Sequence, residues 1–243
     1  MNIAGILFDK DGTLIDFEAT WQPVYHTVAH HVADGDAARA DALLALAGFD
    51  PVAKRCKAGS VLAAGTADDL AALWRPDLGG EALVSMVDRL NDMFTAGAIE
   101  HLAPLTDLGA LFDSLKVDGR RLGIATNDVT RSADACFEHL GLTAMLDFVT
   151  GYDGVPQAKP APDMVYAFCA ACGLEPGEVA VVGDNVHDLE MGLAAGAGLR
   201  VGVLSGNCDA QDFGALADIL LDTVTGLPAA LERHAATGAA NRP

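Results

Sequence analysis

The chain has 243 residues, enough for one large domain that buries a substantial core without disulfides or a structural metal. It is 51% hydrophobic and 20% charged, the balance of a soluble globular chain rather than a disordered one. Lys and Arg number 15 against 34 Asp and Glu, a formal net charge of −19 that argues against a nucleic-acid partner and against an anionic membrane surface, while leaving open a small phosphorylated ligand.

The first element is a short apolar run, Ile3 to Phe8, which ends abruptly at Asp9-Lys10-Asp11-Gly12-Thr13. Near-continuous apolar runs of this length predict strands buried on both faces of a parallel sheet. The pattern returns at Leu122–Ala125 before Thr126-Asn127-Asp128, at Val179–Val182 before Gly183-Asp184-Asn185, and at Leu199–Leu204 before Ser205-Gly206. Helical stretches are expected at about 106–118, 129–140, 162–172 and 187–196. This alternation predicts an α/β fold with a Rossmann-like parallel sheet core, built from residues 1–16 and 101–234. Residues 17–100 carry no convincing strand and show helical periodicity at 37–47 and 81–94, so they are expected to form an inserted α-helical cap. Residues 235–243 read as a frayed tail.

No apolar run approaches the roughly 20 residues of a membrane helix, and the first residues lack a basic stretch before an apolar core. Five cysteines at irregular spacing fit reduced thiols, and the expected location is cytoplasmic. Cys169 and Cys172 fall near the end of an apolar helix with no partner pair, and are expected to be buried structural thiols rather than a redox or zinc motif. His26 and His30, four apart, read as polar-face or pocket-rim residues. Gly196-Ala197-Gly198 precedes a strand instead of following one, so it reads as a helix terminus.

Ligands of open α/β sheets sit at the carboxyl ends of the strands, and three of these strands end in groups suited to phosphoryl chemistry. Asp9 and Asp11 lie two residues apart, so both can face one pocket, and Gly12 permits the tight turn between them and Thr13. Thr126 supplies a hydroxyl before turn residues whose N–H groups can hold an oxyanion. Asp184 and Asp188 sit one helical turn apart. Carboxylates gathered this way need a cation, and a hard oxygen-seeking ion such as Mg2+ suits them. Lys159, in Ala158-Lys159-Pro160-Ala161-Pro162, is placed to join the group.

These four segments resemble, in order, the four motifs of the haloacid dehalogenase superfamily, and the helical insert resembles the mobile cap of its phosphoglycolate-phosphatase-like branch. The resemblance spans about residues 3–205. It implies a Mg2+-dependent phosphatase acting on a small phosphate monoester, with Asp9 as nucleophile and Asp11 as general acid and base. It implies Mg2+ between Asp9, the Asp11 backbone carbonyl, Asp184 and the phosphate, with Asp188 holding a metal-bound water or a neighbouring loop. Thr126 and Asn127 would orient the phosphoryl oxygens, and Lys159 would neutralise Asp9 and the transferring group. Members that cleave carbon–halogen bonds lack an acid at the position of Asp11, so Asp11 favours phosphoryl transfer. The phosphonate-cleaving branch needs a cap lysine, for which Lys54 and Lys57 are the candidates. Lys10 stands where many members carry an apolar residue. Rival readings are a phosphotransferase or mutase using the same intermediate, and a non-catalytic regulator that keeps the fold. In the cap, Lys54-Arg55-Cys56-Lys57 is the densest basic cluster, and Arg55 is the candidate to meet a distal anionic group on the substrate.

Overall fold

A computed structural model describes residues 3–240. From the N-terminus, strand β1 (Gly5–Phe8) leads into α1 (Phe17–Val32), α2 (Ala37–Leu46), a hairpin of β2 (Phe49–Asp50) and β3 (Arg55–Cys56), α3 (Val61–Ala64), α4 (Ala67–Trp74) and α5 (Gly80–Glu100). The alternating part follows: α6 (Leu108–Lys116), β4 (Arg121–Ala125), α7 (Thr130–His139), β5 (Phe148–Thr150) and α8 (Asp163–Cys172). It ends with β6 (Val179–Gly183), α9 (Val186–Ala195), β7 (Leu199–Val203), α10 (Ala210–Phe213), β8 (Ile219–Leu221) and α11 (Leu227–Ala240).

Six strands form one parallel sheet in the order β5-β4-β1-β6-β7-β8. β1 is central, with Phe8 level with Ile124 on one side and Val182 on the other. Strands buried on both faces are apolar throughout, and β6 (VAVVG) is buried at every position. One face packs Phe8, Ile124 and Val182 against Phe112, Phe137 and Leu231. The other packs Leu7, Val181 and Phe168. Each such fully buried side chain contributes roughly 1.5–3 kcal/mol.

The expected strands at the centre are present, and two more, β5 and β8, lie at the sheet edges. Both are three residues long and only partly buried, too short for an apolar run to stand out. Residues 17–100 have a hydrophobic core of their own, from Phe17 and Trp21 through Leu44 and Leu70 to Phe94. Their β2–β3 hairpin, of two residues per strand, departs from the expectation of helices alone. α11 runs to Ala240, so residues 235–240 are helical where a frayed tail was expected, and 241–243 lie outside the described residues.

Side-chain caps fix where several helices begin. Asp16 accepts from the Ala19 amide at 3.0 Å to start α1, and Asp107 accepts from Ala110 at 3.0 Å to start α6. Gly173 and Gly196 close α8 and α9 in the left-handed conformation, as the sequence around Gly196 predicts. His26 packs edge-on to Phe49, and His30 is exposed. Cys169 is buried and Cys172 half-buried, both as free thiols.

Candidate active site

Parallel register brings the ends of β1, β4 and β6 to one edge of the sheet. Asp9, Thr126 and Asp184 each follow the last residue of one of these strands. The Asp9 amide donates to the Val182 carbonyl at 2.8 Å, and the Thr126 amide to the Thr150 carbonyl at 3.1 Å, so the sheet ladder fixes both residues. Gly12 turns the chain at φ +87, and Ser205 donates to its carbonyl at 2.7 Å. A Cβ at Gly12 or at Gly206 would overlap the Asp184 carboxylate, so two loops approach that carboxylate as closely as glycine permits.

Lys159 reaches in from the loop before α8. Its ammonium donates to Asp9 Oδ1 at 2.7 Å and to Asp188 Oδ1 at 2.6 Å, and its side chain is fully buried. The other Asp188 oxygen accepts from the Asn185 amide at 3.0 Å. Asp184 Oδ2 accepts from the Asn207 amide at 3.0 Å, and Thr13 donates to Oδ1 at 3.4 Å. Burial pushes the Asp9 carboxyl up to about 6, with Lys159 opposing and Asp188 and Asp11 adding to the rise. Burial, with Asp9 and Asp188 alongside, holds Asp184 far above the usual carboxylate range. Burial works against the Lys159 ammonium, but Asp188 and Asp9 outweigh it and keep it charged.

A second buried ammonium escaped sequence reasoning. Lys10, between the two carboxylates of the first motif, is 1% exposed and pairs with Asp11 Oδ2 at 2.6 Å and Asp128 Oδ2 at 3.4 Å. Its nitrogen lies 5.3 Å from the centre of the Trp21 ring, a cation–π distance. Burial opposes its charge, and Asp11 and Asp128 overcome that. Asp11 Oδ1 is left buried with no hydrogen-bond partner. Thr126 Oγ1 accepts from the Asp128 amide at 3.1 Å. Asn127 donates through Nδ2 to the Ala64 carbonyl at 2.9 Å, and its Oδ1 is also unpartnered.

Between the cap helices and this edge lies a partly open cavity. Asp9, Asp11, Thr126, Asn127 and Asp184 line its floor. Lys159 and Asp188 are not on the wall; Lys159 bonds Asp9 and Asp188 together. Arg55 is not on the cavity wall: it lies at the seam between cap and core, where its guanidinium donates to the Asn207 carbonyl at 3.3 Å. Its expected meeting with a substrate anion is therefore not supported by its position, because the hairpin β2–β3 turns it toward the 207 loop. Lys54 and Lys57 are exposed and also off the wall. His187, unnoticed in the sequence beyond its place in the fourth motif, lines the cavity, and burial followed by Lys159 pushes its imidazole down to about 4.

A family model described as haloacid dehalogenase-like hydrolase matches residues 3–196. The chain belongs to that family. Among curated relatives of this hydrolase, the N-acetylmuramic acid 6-phosphate phosphatase of Pseudomonas aeruginosa is 25% identical over 236 residues, covering 96% of each chain. The phosphoglycolate phosphatase of Caulobacter vibrioides is 30% identical over 188 residues, 77% of this chain and 74% of its own. The crystal structure of CbbY from Rhodobacter sphaeroides in complex with phosphate superposes with a TM-score of 0.68 at 21% identity, covering 93% of this chain and 96% of its own, a likeness of fold.

The hydrolase's donor set fits a hard divalent cation. Oxygens of Asp9, Asp184 and Asp188 lie within 4.8 Å of one another. Among the described residues Lys159 is the ammonium bonded within this group, to Asp9 and Asp188, and all the donors are oxygen, which suits Mg2+ rather than a thiolate- or imidazole-seeking ion. Both Asp188 oxygens are held closely, at 2.6 and 3.0 Å, whereas Asp9 is bonded through Oδ1 and the Thr13 contact to Asp184 Oδ1 is long at 3.4 Å, so Asp9 and Asp184 are the carboxylates with more capacity to bind directly.

Proposed function

We propose that this hydrolase is a Mg2+-dependent phosphatase that cleaves a small phosphate monoester through an aspartyl-phosphate on Asp9. The observation that carries the reading is the meeting of Asp9, Asp184, Asp188 and the Lys159 ammonium at the carboxyl edge of the sheet. Asp9 has one oxygen held by Lys159, which fixes the rotamer and leaves the second oxygen to attack phosphorus. Asp11 is held through Oδ2 by Lys10, and its unpartnered Oδ1 is the atom that protonates the leaving oxygen and then takes a proton from the hydrolytic water. Thr126 and the Asn127 backbone orient the phosphoryl oxygens. Lys159 offsets charge as it spreads over the transferring group.

Asp9, Asp184 and the Asp11 backbone carbonyl would hold Mg2+, with Asp188 fixed beside them. When bound, the ion supplies positive charge that lets an anionic nucleophile approach an anionic ester. The test is release of inorganic phosphate from a panel of phosphorylated metabolites with and without Mg2+. Asp9→Asn is expected to lose at least about 10³-fold in kcat. Asp11→Asn is expected to lose about 10²- to 10⁴-fold. A folded, metal-loaded protein inert on the whole panel would overturn the reading.

A further inference from the structure

The phosphate-binding end of the cavity belongs to the core, so the rest of the substrate must occupy the cap side. That side is apolar and aromatic. Phe17, Trp21, Tyr25, Leu62, Leu70 and Phe94 line it. Trp21 and Tyr25 stack at 5.4 Å, and Phe94 meets Trp21 edge-on at 5.7 Å, an interlocked aromatic cluster.

Its charge is one-sided. Asp9, Asp11, Asp128 and Asp184 face the cavity, and among the described residues no Lys or Arg lines it. The two ammoniums nearby are committed: Lys159 to Asp9 and Asp188, Lys10 to Asp11 and Asp128. His187 sits with Nδ1 3.5 Å from Asp188 Oδ1, so any positive charge there already faces a carboxylate. Arg55 points to the Asn207 carbonyl. A second anionic group on the substrate would enter this space with no cation to pair with, and a buried unpaired charge is strongly unfavourable.

Four neutral polar atoms on the wall await partners, Asn185 Nδ2 and His187 Nδ1 among them. Trp21 Nε1 is a buried donor with none, and Asn127 Oδ1 a buried acceptor with none. Buried polar groups of this kind are normally hydrogen-bonded, so a ligand is expected to supply the missing atoms.

Resting on the phosphatase reading above, we propose that the alcohol half of the substrate is uncharged, presents an apolar face to the cap side of the cavity at Leu62, Leu70 and Phe94, and carries a neutral hydrogen-bonding group for Trp21 Nε1 or Asn127 Oδ1. Esters with a second anionic group, phosphoglycolate among them, are poor substrates.

The experiment uses two isosteric pairs that differ by one charge: 4-carbamoylbenzyl against 4-carboxybenzyl phosphate, and 2-phosphoglycolamide against 2-phosphoglycolate. Hydrolysis with Mg2+ is measured for all four. Binding of the corresponding non-hydrolysable benzylphosphonates is measured by calorimetry. The neutral member of each pair is expected to exceed the charged one by about tenfold or more in kcat/KM, and the carbamoylbenzyl ester to exceed the glycolamide. The neutral phosphonate should bind correspondingly tighter. Equal or better hydrolysis of the carboxylates overturns this proposal while leaving the phosphatase reading intact. No hydrolysis of any ester, with the neutral phosphonate still bound preferentially, removes the phosphatase reading and retains the cavity assignment. Neither hydrolysis nor binding removes both.

Discussion

At the scale of single residues, Lys10 shows how much of this site depends on buried charge pairing. Its ammonium lies between Asp11 and Asp128 under the Trp21 ring, and both carboxylates lose their partner if it is removed. Lys10→Met is expected to destabilise the fold by about 3–5 kcal/mol in denaturant unfolding, because it strands two buried carboxylates. The double variant Lys10→Met with Asp128→Asn should recover part of that loss. The same lysine fixes one oxygen of the proposed acid, so Lys10→Met should slow esters of poorly leaving alkyl alcohols more than aryl esters, which need little protonation. Equal slowing of both would assign Lys10 a purely structural part. The sequence gives little sign of this lysine's burial. Asp9, Asp11, Thr126, Lys159 and Asp184 are legible because each ends a strand or sits in a recognisable motif. Lys10 lies between two of them and stands out in the sequence only as a departure from the usual apolar residue, since its partners Trp21 and Asp128 are remote in the chain.

At the scale of elements, Asp147 ties the α6–β4–β5 corner together. Its oxygens accept from the Leu122 amide at 3.0 Å, Lys116 at 3.1 Å and Arg121 at 2.7 Å. Burial works to raise its carboxyl, but the Leu122 amide, Arg121 and Lys116 prevail and hold it below the usual carboxylate range. A folded value below the unfolded one means the contribution is present above about pH 4 and is lost as pH falls through the folded value. Asp147→Asn should therefore cost about 1–3 kcal/mol at neutral pH in chemical denaturation, with the gap to the parent protein closing in acid. A gap constant down to the acid limit would show that the charge is not what matters. The short edge strands beside this corner explain why sequence patterning found the centre of the sheet and not its margins. β1, β4, β6 and β7 are four or five residues long with buried runs, whereas β5 and β8 have three residues each and one buried position between them, Thr150. The β2–β3 hairpin is shorter still, and it decides where Arg55 goes. Arg55→Ala is expected to shift KM for charged and uncharged esters alike, because the residue bonds the Asn207 carbonyl and not the cavity. A KM increase confined to carboxylate esters would instead place its guanidinium on the substrate.

At the scale of the whole molecule, the cap and core meet over a cluster of three carboxylates, Asp9, Asp184 and Asp188. Asn127 reaches the Ala64 carbonyl, Asn91 reaches the Tyr152 hydroxyl at 3.2 Å, and Arg131 pairs with Asp92 at 2.6 Å across the seam. Only the last is an ion pair, and its exposure limits it to about 0–1 kcal/mol. The Arg55 bond to the Asn207 carbonyl and Lys10 over the Trp21 ring also cross the seam, while carboxylates crowd the floor beneath. Mg2+ at saturating concentration is expected to raise the melting temperature, by linkage of binding to folding, and chelation should reverse it. Asp184→Asn should abolish that dependence while the folded protein persists. A melting temperature indifferent to Mg2+ in the parent protein would count against the metal assignment.

The account rests most heavily on the chemistry at Asp9. The direct measurement is an acid quench of turning-over enzyme followed by peptide mapping for a phosphoryl adduct. The expected result is an acyl phosphate on Asp9, absent from Asp9→Asn, which should also be inactive. An adduct on a different residue, or an Asp9→Asn variant that turns over at the parent rate, would contradict it.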